Sequence, residues 1–416
     1  MARPAPTHLA GMIAATAMCA AAATEAAAQT PPGSLVLNEQ LQLGDVVAGE
    51  VLNVVDAQDQ VTVTTTARGN EISGAVQNDS LTATSRQTLR GSTTASTSLT
   101  LGGDTAGTVT AVTQARGNYL AAGAYDANLE LSSRQDVDDV YVGAASEITG
   151  EEARLLGGGS VQAAAIANTT AIGGETAVIA ADIDQTSAAT VRAENFMGSR
   201  YVPGSAEFSS QALANAAASN GDLASGQALT VRQRSSGESV EADTSANAAN
   251  AWDLAGRANA GANQAVFYNQ GGALVVASDQ GNAGRVSASG VVTAYDFGAA
   301  TVQARGVGNE LSAGNNDIYL EIDNVQLNSG PIDASAQFSG GNGYDVYVGA
   351  DAAGNVVTGY ACSECQGVID ARNSQTNAAS VTAVAGATVQ GSARAVVAGS
   401  NAVGNSATFY VSRPAN

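Results

Sequence analysis

An Asn preceded by Gly or Ala returns eight times along the chain, at Asn70, Asn118, Asn168, Asn215, Asn263, Asn309, Asn355 and Asn405, at intervals of 46 to 50 residues. A second marker keeps the same time: Gln40, Gln87, Gln135, Gln185, Gln233, Gln280, Gln326 and Gln375 each precede the next marked Asn by 29 to 33 residues. A fixed period of this size means copies of one supersecondary unit that stack, each adding to a shared core. Everything else in the sequence is read against that period.

Within a unit the apolar pattern has a period of two. Ser92 to Leu101 and Thr108 to Gln114 alternate Thr, Val, Leu and Ala with polar partners, and Gly, Asn, Asp and Ser steps divide the segments. This predicts half-buried strands joined by tight turns, about four strands to a unit. The fold class expected is all-β, a β-solenoid or β-helix of eight repeats, with an eight-bladed β-propeller as the alternative. Composition separates the two. Trp252 is the one tryptophan and aromatic residues make up 4% of the chain, whereas propeller blades carry a recurring large aromatic or a Trp-Asp signature. The small apolar residues suit a thin core between closely stacked sheets, each unit forming two coils of about 24 residues, for a stack of ~75 Å.

A small residue followed by Asn suits a turn, because Gly reaches angles that branched residues cannot and Asn tolerates the left-handed region. In a stack the marked Asn and Gln side chains either form hydrogen-bonded ladders along the axis or close turns that face water. Both readings make the sixteen markers structural.

Residues 1–28 read as a secretory signal peptide, with Arg3 and His8 before an Ala-rich apolar stretch and small residues at Ala26 to Ala28. Residues 29–406 form the repeat domain and 407–416 a terminal strand and cap. No later apolar run is long enough to span a bilayer as a helix. The chain has no lysine, its one histidine is His8, and the formal charge is −21. An acidic surface disfavours nucleic acid and anionic membranes. The absence of His and Lys from the mature chain removes Ser-His-Asp and Cys-His catalysis, imidazole-bound zinc, Schiff bases and the phosphate-loop lysine. The chain is therefore read as no enzyme, and no cofactor is expected. The alternative is a polysaccharide-degrading β-helix that uses paired carboxylates.

Three local features remain. Cys362 and Cys365 lie where the Asn-to-Gln spacing widens to 20 residues, and in an exported chain they are disulfide candidates that pin an inserted loop. The run Gly340 to Tyr347 fits a single copy of the calcium-binding nonapeptide of β-rolls, which makes calcium near Asp345 a weak option. The acidic residues Asp136, Asp138, Asp139, Glu147, Glu151 and Glu152 read as a solvated face.

The phrases Thr66-Ala67-Arg68-Gly69-Asn70 and Gln114-Ala115-Arg116-Gly117-Asn118, within weak repeats of Ala, Gly, Thr and Asn behind a signal peptide, resemble the holdfast attachment protein D family of stalked alphaproteobacteria. The spaced Gln114, Gly117, Asn118 and Gln135 are loosely similar to curlin repeats, in a different register and a unit about twice as long. The family resemblance implies an exported cell-surface protein that passes a curli-type outer-membrane pore and anchors the adhesive holdfast polysaccharide at the cell pole. Its implied partners are that polysaccharide, other holdfast anchor proteins and the secretion pore. The repeats themselves allow a self-assembling homopolymer. No catalytic residue carries over.

Overall fold

The structure, a computed structural model, describes residues 33–317, 319–361 and 367–411. The described chain is all strand with turns, without helix, and its strands belong to one continuous parallel sheet system wound into a solenoid.

Strand pairing fixes the size of a coil. Each strand pairs in parallel with the strand one repeat later: Ser34–Gln42 with Leu81–Leu89, Asn118 with Asn168, Asn168 with Asn215, and so on to Asn355 with Asn405. One repeat is thus one coil. The expectation of two 24-residue coils per repeat fails because the alternating segments of one unit lie side by side around a single cross-section instead of above one another. Eight coils at about 4.8 Å each make a stack of ~38 Å, half the expected height. Parallel pairing between successive repeats is also incompatible with propeller blades, whose strands pair antiparallel within a unit.

In coils 1 to 3 each turn of the solenoid contains three principal strands. In coil 2 these are Ser80–Leu89, which carries Gln87, then Thr93–Leu101, then Val109–Tyr125, which carries Asn118, with a two-residue strand at Asp104–Thr105 before the third. The 17-residue strand bends at the marked step. In Val109–Tyr125 the inward residues are Val109, Ala111, Thr113 and Ala115 before the bend and Asn118, Leu120 and Ala124 after it, so the Gly117-Asn118 step shifts the pleat by one residue. The two halves of one strand consequently face two different interiors.

Two apolar columns run the length of the stack. The larger is lined by residues such as Leu99, Val109, Ile148, Val161, Phe208, Leu254 and Val302, between the second strand and the first half of the long strand. The other contains Leu129, Leu131, Ile179, Ile183, Phe267, Leu274 and Leu320, between the first strand and the second half of the long one. Most of these side chains are fully buried, and many of their neighbours are Ala, which lets the facing sheets approach closely.

Candidate functional surface

The boundary between the two columns is occupied by amides. The eight marked Asn side chains stack in order, each Nδ2 donating to the Oδ1 of the Asn one coil later, from Asn70 to Asn405, at 2.7–2.9 Å. The eight Gln side chains form a second stack with the opposite polarity. Each Nε2 from Gln87 to Gln375 donates to the Oε1 of the Gln one coil earlier, at 2.7–2.8 Å.

The ladders brace one another through the backbone. Every marked Asn from Asn70 to Asn355 gives its second Nδ2 hydrogen to the carbonyl of the residue after a marked Gln, as Asn118 does to Asp136 O at 3.0 Å. Every marked Gln gives its second hydrogen to the carbonyl of the residue after a marked Asn, as Gln135 does to Thr169 O at 2.9 Å. Both amide hydrogens and the amide oxygen of an interior Gln or Asn are used, which is what allows such polar groups to sit fully buried between apolar columns. A shorter ladder, Asn282 to Asn328 to Asn377, runs beside the corner in the later coils. Within the two eight-membered ladders the interior amides are fully used, while elsewhere a few buried polar atoms, among them Asn195 Oδ1, Asn282 Oδ1 and Asn324 Oδ1, have no hydrogen-bond partner.

Outside, the arginines tie coils together. Arg90 binds Asp138 at 3.0 Å, Arg200 binds Glu152 at 3.0 Å and Arg232 binds Asp182 at 2.9 Å, each across one coil step, with Arg154–Asp104, Arg257–Glu207 and Arg394–Asp345 arranged in the same way. Asp136 is bound by Arg134. Members of the acidic face are thus partly committed to ion pairs. Asp345, in the nonapeptide-like run, has its carboxyl held below the usual carboxylate range by its hydrogen bond to Arg394. Among the described residues no group of three or more His, Cys, Asp or Glu is placed to hold a metal ion. Cys362 and Cys365 lie outside the described residues, as does the signal-peptide segment.

The surface carries an aromatic cleft, of about 470 Å³, where successive coils turn between their second and long strands. Its walls come from coils 4 to 8: Tyr201, then Asn250 and Trp252, then Asp296, then Asn342 and Tyr344, then Ser392. The rings of Trp252 and Tyr344 meet edge to face with centroids 6.0 Å apart, although they lie two coil steps from each other. Gly298, in the coil between, makes this possible: a Cβ there would stand 2.3 Å from the Trp252 carbonyl oxygen and 3.0 Å from its ring. Phe297 lies beneath, buried and packed at 5.0 Å against Phe338. Arg394 lies over the Tyr344 ring at 5.6 Å. Trp252 and Tyr344 nevertheless remain 61% and 52% exposed. The cleft is lined by one carboxylate, Asp296, so it lacks the facing pair that glycoside hydrolysis requires.

Reading the sequence locally misses this cleft, because Trp252 and Tyr344 are 92 residues apart. The signal that finds them is the period itself, since two steps of 46 carry position 252 to 298 and then to 344.

A family model described as holdfast attachment protein D matches residues 55–331, more than half of the chain. The chain belongs to the holdfast attachment protein D family. No curated protein and no solved structure matches it. The matched segment opens in the turn before the long strand of coil 1 and runs to the turn after the first strand of coil 7, so it is repeat throughout. Membership associates the chain with holdfast attachment and with the cell envelope. Among the described residues no helix is long and apolar enough to cross a membrane.

Proposed function

We propose that the chain is an exported structural protein that anchors the adhesive holdfast polysaccharide to the outer membrane at the cell pole, and that it is not an enzyme. The observation that carries this reading is the family match across the repeats. The physical character of the molecule supports it. A solenoid with two continuous ladders of hydrogen-bonded amides in its interior, and with several arginines that cross-link successive coils, is a stiff element suited to bearing load between two attachments. Its partners would be the polysaccharide, other holdfast anchor proteins and the outer-membrane pore that exports it.

A homopolymer fits the same geometry. The two ladders are polar in opposite senses, so coil 8 of one copy placed against coil 1 of another would aim Asn405 Nδ2 at Asn70 Oδ1 and Gln40 Nε2 at Gln375 Oε1. The net charge of −21 favours such end-to-end growth over lateral bundling.

The test is a deletion strain. Cells lacking the protein should make the adhesive and release it into the medium, and re-expression should restore retention. Cells that keep the adhesive on their surface without the protein would refute anchoring.

A further inference from the structure

We infer that the aromatic cleft of coils 4 to 8 is a binding site for an uncharged polysaccharide chain running along the solenoid axis. The inference rests on the anchoring reading and assigns it a place on the molecule. Scattered exposed rings are ordinary, but a contiguous exposed apolar patch marks an interaction site, and Trp252 and Tyr344 are brought together in a concavity by the absence of a side chain at Gly298. Rings presented this way match the apolar C–H faces of sugars. Polar partners stand beside them. Asn250 and Asp296 take part in no side-chain hydrogen bond or ion pair among the described residues, which leaves their amide and carboxylate for sugar hydroxyls.

Charge selects the class of glycan. Arg394, beside the cleft, is paired with Asp345 and covers Tyr344, while among the described residues Asp296 has no ion-pair partner, so an anionic polymer would meet net repulsion. Direction follows from the walls. Tyr201, Asn250, Asp296 and Asn342 are neighbours in the register of coils 4 to 7, so equivalent contacts recur along the axis at the inter-coil spacing, a step similar to one sugar residue of an extended chain. An elongated ligand can therefore engage several coils at once.

Trp252 is the only tryptophan and so reports on its own cleft. The mature chain would be titrated with cellohexaose, maltohexaose, mannohexaose and chitohexaose, with an oligogalacturonate as the anionic counterpart, while Trp252 emission is followed. At least one neutral chain should give a saturable blue shift and the anionic one none. By calorimetry, Trp252→Ala and Tyr344→Ala should each weaken binding about tenfold or more, with unchanged far-ultraviolet circular dichroism, whereas Tyr125→Ala on a distant face should bind as wild type. No response to any neutral chain, or wild-type affinity in Tyr344→Ala, would overturn the assignment. In cells, a Trp252→Ala/Tyr344→Ala protein that retains the adhesive while the deletion sheds it would remove the cleft and leave anchoring intact; retention by the deletion as well would remove anchoring.

Discussion

Asn215 illustrates how much one side chain carries in this molecule. It is fully buried, accepts from Asn168, and donates to Asn263 at 2.8 Å and to Arg234 O at 2.9 Å. Asn215→Ala leaves a donor and two acceptors in the interior without partners, and should cost about 3 kcal/mol in denaturant unfolding. Asn405→Ala, at the exposed end of the same ladder, should cost ~1 kcal/mol or less. Asn215→Asp should be the most damaging of the three, since it places a carboxylate against Asn263 Oδ1 and a carbonyl. Equal losses at positions 215 and 405 would mean that the ladder does not carry the load. A different residue-scale effect belongs to Asp243, which shares one cation, Arg192, with Glu194 and Glu241. Burial raises its pKa, with Arg192 opposing and the two glutamates adding to the shift. Because the native value lies above the unfolded one, the group contributes stability at low pH and loses it as pH rises through the native value. Asp243→Asn should therefore raise the melting temperature at pH 7, and the gain should shrink below about pH 4. A gain independent of pH would contradict this origin.

At the scale of the element, the corner in the long strand is crowded at four of its Gly positions, 69, 117, 308 and 354. The residue before the marked Asn is Gly at positions 69, 117, 308, 354 and 404 and Ala at 167, 214 and 262. A Cβ at Gly117 would approach the Ala167 carbonyl oxygen to 2.5 Å and Leu89 Cδ2 to 2.9 Å, and one at Gly308 would approach the Gly354 carbonyl oxygen to 2.5 Å and Asn328 Oδ1 to 2.7 Å. In the same column Ser187 and Ser235 replace these larger side chains near Ala167 and Ala214, whereas Ala262 stands beside Asn282. Gly308→Ala should thus destabilise by about 2 kcal/mol, and combining it with Asn328→Ser should cost less than the two changes added separately. Strict additivity in a thermal or denaturant cycle would show that the corner does not sense its neighbour. Much of the element level is legible in the sequence. Alternation over Ser92–Leu101 marks a strand, and the interval between marked Asn residues is the coil length. The bend was not legible, because the alternation before Gly117 and the alternation after Asn118 each look regular and only their phase differs. That phase shift is what converts one strand into a wall of two interiors and makes one coil out of a unit whose length suggests two.

For the whole molecule, the period governs both fold and site. Residues that are remote in the chain become neighbours whenever their separation is a multiple of the repeat, so the cleft built on Trp252, Gly298 and Tyr344 has no local signature. The central claim is that each repeat contributes a single coil in parallel register, and distance measurement between spin labels tests it most directly. Thr84 and Asp323 are exposed, occupy one column of the first strands, and lie five coil steps apart. Labelled cysteines at these two positions, in a chain with Cys19, Cys362 and Cys365 changed to Ser, should give a distance centred near 24 Å, the height of five steps. A distribution centred near 48 Å, as two coils per repeat would require, would contradict the account.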